Sequence, residues 1–127
     1  MKDLDGLFKH FLKDIYYAEK QILKTLPRMA RKAESQEQRT AIEVLRPERD
    51  PQIVSVGKVF ELCGLRARGV TCEAMDGILS EGKDIMDEAE DGDTRDAGMI
   101  AAAQAVEHYE ITRYGTMISW AKTLGMK

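Results

Sequence analysis

The stretch LDGLFKHFLKDIYYAEKQILKTLPRMARKA, residues 4–33, decides the fold of this chain. Its apolar residues recur at spacings of three and four, which places them on one face of an α-helix. A helix of about 30 residues is roughly 45 Å long, and amphipathic helices of that length are typical of helical bundles. Pro27 lies inside the pattern and is expected to bend the helix or disturb its last turns. The stripe consists of Leu4, Phe8, Phe11, Ile15, Ala18, Ile22, Leu26 and Met29.

A second long helix is expected over residues 35–63, starting from an N-cap at Ser35. Pro47 and Pro51 lie inside it, and each disfavours an unbroken helix by about 3 kcal/mol in a helix interior. We therefore expect a kink or a break near residues 46–51.

Two more helices complete the pattern. A shorter one is expected over residues 72–89 and a long, alanine-rich one over residues 95–124, with Asp93 or Thr94 as its N-cap. The sequence shows no internal repeat and no partner for a β-strand. It predicts an all-α helical bundle that forms a single domain over residues 1–127.

Composition narrows the classes of function. The chain has 127 residues, 43% of them hydrophobic and 32% charged, with a formal net charge of −3. This balance argues against a general binder of nucleic acids or anionic membranes, which would carry a basic surplus. Apolar runs are too short to span a bilayer and the N-terminus does not resemble a signal peptide, so we expect a cytoplasmic protein. Cys63 and Cys72 are expected to be free thiols, because they lack the spacing of a zinc or redox motif.

Glutamates lie on the apolar stripes of two helices. Glu19 falls in the middle of the first stripe, between Ile15 and Ile22. Glu107 and Glu110 lie one turn apart on a corresponding stripe of the last helix. An ionised carboxylate left without compensation in a core costs several kcal/mol, so something must compensate each of them. The stripe of the last helix consists of Ile100, Ala103, Glu107, Glu110, Tyr114, Met117, Ala121 and Leu124.

Two interpretations of these glutamates remain open. Inward-facing glutamates on facing helices can bind iron or manganese, since both metals accept hard oxygen ligands. Alternatively, the glutamates lie at the margin of the bundle and pair with lysine or arginine. His108 points about 100° away from Glu107 on the helix and is better explained as a boundary residue than as a ligand. The sequence shows no catalytic triad, phosphate-binding loop or dinucleotide fingerprint.

Several motifs resemble those of the YciE/YciF family. They are DIYYAEKQ at 14–21, VFEL at 59–62, CEAM at 72–75, AQAVEHYEI at 103–111, and YGT at 114–116 followed by Trp120-Ala121. The resemblance covers nearly the whole chain. It implies a ferritin-like, antiparallel helical bundle, a link to stress responses, a poorly defined biochemical activity and a tendency to form dimers.

The resemblance also implies a set of acidic positions that face inward. It assigns Glu19, Glu107 and Glu110 to that set and adds Glu43 and Glu48, although Leu45 stands where the family has a histidine. Family members continue into another long helix with further glutamates, so this chain is expected to lack the closing helix. The absent histidine and the absent closing helix both argue against a complete dinuclear metal site. Without the closing helix, apolar stripes of the other helices stay uncovered, and they are expected to drive association into a homodimer or a larger homo-oligomer.

The sequence leaves three functions open. The first is a ferritin-like, stress-associated protein with a partial carboxylate metal site. The second is a non-catalytic structural or dimerisation module without a metal. The third, an active oxidase or peroxidase, would need two metals and a full set of ligands, which this chain does not supply. The sequence thus favours a protein that is not an enzyme.

Overall fold

The fold is described by a computed structural model that covers residues 3–125, without the side chains at positions 41, 42 and 44–50. The described part is all-α, which confirms the predicted class. The second helix forms one element from Gln36 to Leu62, so the break expected near residues 46–51 was wrong, and a kink there stays a prediction. The four helices are α1 Leu4–Lys32, α2 Gln36–Leu62, α3 Glu73–Glu88 and α4 Gly92–Thr123.

Each helix begins at a capping residue whose side chain accepts a hydrogen bond from a backbone N–H of the first turn. The prediction for α4 was wrong in detail, because its cap is Asp91 and not Asp93 or Thr94. The Oδ1 atom of Asp91 accepts from the backbone N–H of Thr94 at 2.6 Å, so the helix begins at Gly92. The four capping residues are Asp3, Ser35, Cys72 and Asp91.

The core follows the predicted face of α1. Two predicted members of the stripe, Leu4 and Phe11, are only half-buried. Pro27 does not end α1, which continues to Lys32. No helix among residues 3–125 combines the length and the apolarity needed to cross a bilayer. The buried members of the stripe are Phe8, Ile15, Ala18, Ile22, Leu26 and Met29.

Contacts at the two ends of the bundle show that α4 runs antiparallel to α1. Near the start of α4, the carboxylate of Asp96 accepts hydrogen bonds from the backbone N–H groups of Glu34 and Ser35, each at 2.8 Å. Near its end, the ring of Trp120 lies 5.1 Å from the ring of Phe11. Because α2 follows α1 after a short turn, α2 and α4 run in the same direction.

The shorter helix α3 runs in the direction of α1 but begins halfway along it. The hydroxyl of Tyr17 donates to the Asp76 carboxylate at 2.8 Å, and Lys32 pairs with Asp87 at the other end. The helix has 16 residues, against 29 in α1. The half of the bundle around Phe8 is therefore built from α1, α2 and α4.

The turns that follow α1 and α3 are built in the same way. The guanidinium of Arg39 donates to the carbonyl oxygens of Ala30 and Ala33, at 3.1 and 2.9 Å, and so satisfies the C-terminal end of α1. Arg95 lies 56 positions later, the difference between 95 and 39, and donates to carbonyls at the end of α3 at 3.2 and 3.3 Å. The bundle thus repeats a helical hairpin that the sequence pattern does not reveal.

Removing one of these arginines should weaken its hairpin. We expect Arg39→Ala to lower the free energy of unfolding by about 1.5–3 kcal/mol, the range for hydrogen bonds to a charged group. Urea denaturation followed by circular dichroism measures the change. Arg28→Ala, at an exposed position of α1, is the matched control and should change the stability by less than about 0.5 kcal/mol. Equal effects of the two changes would contradict this role of Arg39.

Candidate functional site

Two of the predicted glutamates are buried in the bundle. Glu19 is 0% exposed and Glu110 is 5% exposed, and they belong to α1 and α4, which pack against each other. Glu19 is buried because Ile15 and Ile22, one turn before and one turn after it, lie in the core. Neither carboxylate is without an interaction partner. Each buried carboxylate needs such a partner, because burying a charge without one has a high cost in free energy.

The other predicted glutamates do not join this pair in the described structure. Glu107 is exposed and borders a cavity of about 40 Å³ between α1, α3 and α4, so the expectation that it faces inward was wrong. Glu43 is also exposed, and the side chain of Glu48 lies outside the described residues. His108 is exposed.

The error at Glu107 comes from the helical phase of α4. Its core face is formed by Met99, Val106, Glu110 and Met117, a stripe rotated away from Ile100 and Glu107. Alternative stripes are available because apolar residues occur around much of this alanine-rich helix. Only packing against α1 and α3 selects the buried one.

The candidate ligand residues can be compared with the number of ligands that a metal ion takes. A carboxylate-bridged site in a helical bundle takes ligands from several helices. Within the described ranges, no group of three or more His, Cys, Asp or Glu residues is placed to hold a metal. The described residues therefore supply the two buried carboxylates of Glu19 and Glu110 and do not form a complete site.

A second polar cluster, around Tyr109, was not predicted as a unit. The Tyr109 hydroxyl lies 2.9 Å from Sγ of Cys72, and the guanidinium of Arg113 lies over the rings of both Tyr109 and Phe11. Burial, aided by the hydrogen bond with the Cys72 thiol, raises the pKa of Tyr109 to about 12, although Arg113 opposes the shift. Cys63 and Cys72 are both free thiols, as expected. The cluster connects α4 with α1 and with the N-cap residue of α3.

A large apolar groove lies between α2 and α4. It encloses about 1050 Å³ in the half of the bundle that α3 does not reach. Phe8 and Leu12 of α1 form its floor. Both helices that flank it pack along α1, and among the described residues they make few contacts with each other. Its walls are Pro51, Gln52, Ser55, Val56, Val59 and Leu62 of α2, and Tyr114, Met117, Ile118, Ala121 and Lys122 of α4.

The rim of the groove carries large exposed side chains. Leu62 is 80% exposed, and Ile118 on the opposite wall is more than half exposed. Single exposed apolar residues are ordinary, but a continuous apolar groove marks a site of interaction. Uncovered apolar stripes were expected from the sequence, but the position of the groove depends on how α2 and α4 lie across α1.

Comparison with known proteins finds relatives that are similar to this chain in sequence and in structure. The chain is 37% identical to protein YciF of Escherichia coli over 128 aligned positions, which span all of this chain and 77% of YciF. The crystal structure of YciF, described as a stress protein, matches 98% of this chain and 79% of its own with a TM-score of 0.91. The structure of YcfI from Rhodopseudomonas palustris matches with 42% identity and a TM-score of 0.94, again over 98% of this chain and 79% of its own.

The family comparison agrees with these relatives. The model of the family described as a domain of unknown function, DUF892, matches residues 3–127. The resemblance noted from the motifs is thereby confirmed, and the chain belongs to the DUF892 family, which includes YciF.

Proposed function

We propose that this chain is a non-catalytic structural protein that acts by binding a helical partner in the groove between α2 and α4. The observation that carries the proposal is the groove itself, with its floor at Phe8 and Leu12 and with Leu62 on its rim. Its walls are two helices that run in the same direction, an arrangement against which a third helix can pack. Burying a leucine side chain that was exposed contributes about 1.5–3 kcal/mol, so a few rim residues are sufficient to stabilise a complex.

The relatives support this proposal in general terms. YciF is described as a stress protein, and YcfI is provisionally described as a structural protein. Neither description names a reaction. A role in the stress response through assembly, and not through chemistry, fits both descriptions and the open groove of this chain.

A substitution at the rim tests the proposal. Leu62→Lys places a charge in the groove close to Lys122, while the C-terminal end of α2 tolerates a cation. We expect the wild type to sediment above the 14.3 kDa of a single chain and the variant to sediment as a monomer with the same helix content. Val54→Lys is the matched control, because Val54 is 58% exposed on the same helix and does not line the groove. The proposal fails if Leu62→Lys associates as tightly as the wild type does.

A carboxylate metal site is a second candidate, favoured by the burial of Glu19 and Glu110. On this interpretation the two glutamates would hold iron or manganese together with ligands outside the described residues. Elemental analysis of protein purified without chelators should then find the metal, and added Fe²⁺ or Mn²⁺ should raise the melting temperature. Glu19→Gln should abolish both effects, whereas Glu107→Gln, at an exposed position, should not. Metal-free protein without any thermal shift would rule this candidate out.

A further inference from the structure

One face of α1 carries a row of cations, which consists of Lys13, Lys20, Lys24 and Arg31. They are separated by seven, four and seven residues, so at about 3.6 residues per turn they lie within about 40° of one another around the helix axis. At a rise of about 1.5 Å per residue the row is about 27 Å long. Lys13 is half-buried and the other three residues are exposed. The row faces away from the core, because the buried residues of α1 lie on the opposite side of the helix.

The loop between α2 and α3 adds two cations beside the first half of this row. The backbone N–H of Val70 donates to the carbonyl oxygen of Lys13 at 3.4 Å, which holds the loop against α1. Gly69 approaches α1 so closely that an added Cβ atom would lie 3.0 Å from the Cβ atom of Tyr17. This close approach of the loop therefore favours glycine. The two exposed arginines of the loop are Arg66 and Arg68.

Within the described part of the chain, no ion pair neutralises the cations of the row. The ion pairs that α1 forms there involve Lys9, His10 and Lys32, which are not members of the row. Lys20 lies over the ring of Tyr16, with its Nζ atom 4.5 Å from the ring centroid. Such a cation–π contact leaves the positive charge in place. The row is therefore a surface of one sign of charge.

Acidic residues are concentrated in the other part of the chain. Residues 1–72 contain 14 Lys and Arg against 10 Asp and Glu, whereas residues 73–127 contain 5 against 12. The formal net charge of −3, which argues against a general binder of nucleic acids, is thus an average over a basic part and an acidic part. Asp76 and Asp87 of α3 lie along one margin of α1, where they contact Tyr17 and Lys32. This acidic margin repels anions, so an anionic partner is expected to lie along the row on the side away from α3.

The shape of the row indicates a stiff polyanion. A nucleic-acid double helix is straight over about 27 Å, because its persistence length is about 50 nm, and it carries about one phosphate charge per 1.7 Å of its axis. An anionic membrane fits less well, since a helix that binds a membrane surface inserts its apolar face, and that of α1 is buried in the bundle. The large exposed apolar residues of the described chain lie on α2 and α4.

We propose that the row on α1, together with the two arginines of the loop, binds the phosphate backbone of double-stranded DNA. The contacts are charge pairs between the cationic side chains and phosphate oxygens, which position a duplex but do not read its sequence. The inference goes beyond the proposed function and does not depend on it, because the row and the groove are different surfaces of the bundle.

Fluorescence anisotropy with a labelled DNA duplex of about 20 base pairs tests the proposal. Six phosphate contacts predict a slope of about −5 for the logarithm of the binding constant against the logarithm of the salt concentration. Lys20→Gln combined with Lys24→Gln should reduce the magnitude of this slope by about 2 and weaken binding at about 50 mM salt by about tenfold for each residue. Lys58→Gln combined with Lys83→Gln is the matched control, because it removes the same charge at exposed positions of α2 and α3. It should leave the slope unchanged.

Glutamine and lysine have similar helix propensities, so circular dichroism should show that both variants fold as the wild type does. The proposal is overturned if the wild type does not bind the duplex at low salt, or if the two double variants lose the same affinity. Binding to vesicles that contain phosphatidylglycerol, without binding to the duplex, would assign the row to a membrane surface and would also overturn the proposal. Arg66→Gln combined with Arg68→Gln should reduce the slope by about 2 as well, and an unchanged slope would contradict the role of the loop.

Discussion

Replacing Phe60 by alanine is expected to lower the free energy of unfolding by about 3–5 kcal/mol. Phe60 is 0% exposed and packs edge-to-face against Tyr16 of α1, with 5.3 Å between the ring centroids. It lies on α2, whose main packing partner is α1, so few other contacts could compensate for the cavity. Much of the stability of a domain of this size depends on a few such residues, because the total is only about 5–15 kcal/mol.

Urea denaturation monitored by far-UV circular dichroism measures the effect of Phe60→Ala. Val54→Ala, six residues earlier at an exposed position of the same helix, controls for the change in helix propensity. It should alter the stability by less than about 0.5 kcal/mol. A loss below about 1.5 kcal/mol for Phe60→Ala would mean that α2 is not anchored on α1 through this ring. The groove, which requires α2 in its place, should then be reconsidered.

The second large effect is expected at Asp96. Its carboxylate accepts from two backbone N–H groups in the turn between α1 and α2, each at 2.8 Å, so it connects that turn to α4. Asp96→Ala leaves both partly buried donors without this acceptor and should cost about 2–4 kcal/mol. Asp96→Asn retains one oxygen acceptor and should have an intermediate effect.

Thermal and urea denaturation of the Asp96 variants test this account, with Asp93→Ala as the control. Asp93 is an exposed acidic residue in the first turn of the same helix, so its loss removes only a favourable interaction with the helix dipole. If Asp93→Ala and Asp96→Ala destabilise the protein equally, the effect arises from charge at the start of α4 and not from the bonds to the turn.

The sequence predicts α1 well because this helix has a single choice of buried face. Its apolar residues fall on one stripe, and the structure buries Ile15, Glu19 and Ile22 together as the spacing implies. Helix α4 offers two apolar seams, so the sequence alone could not tell that Glu110 is buried and Glu107 exposed. That choice is made by the packing of α4 against its neighbours and not by the helix itself.

Features that join distant segments were beyond prediction for the same reason. The acceptor role of Asp96 depends on the turn at Glu34 and Ser35, about 60 positions earlier, lying beside α4. The hydrogen bonds of Arg39 to the end of α1 involve side-chain geometry that no periodicity encodes. The groove likewise arises because α3 begins only at the level of Tyr17. The hydrogen bond from Tyr17 to Asp76 shows this position, and the sequence pattern does not.

Sedimentation equilibrium of the wild-type protein across micromolar concentrations tests the central claim most directly. The account predicts a reversible monomer–dimer equilibrium that approaches about 28.6 kDa, twice the 14.3 kDa mass of one chain. A constant mass of 14.3 kDa at every concentration would contradict the claim that this chain assembles with a second copy through the groove between α2 and α4.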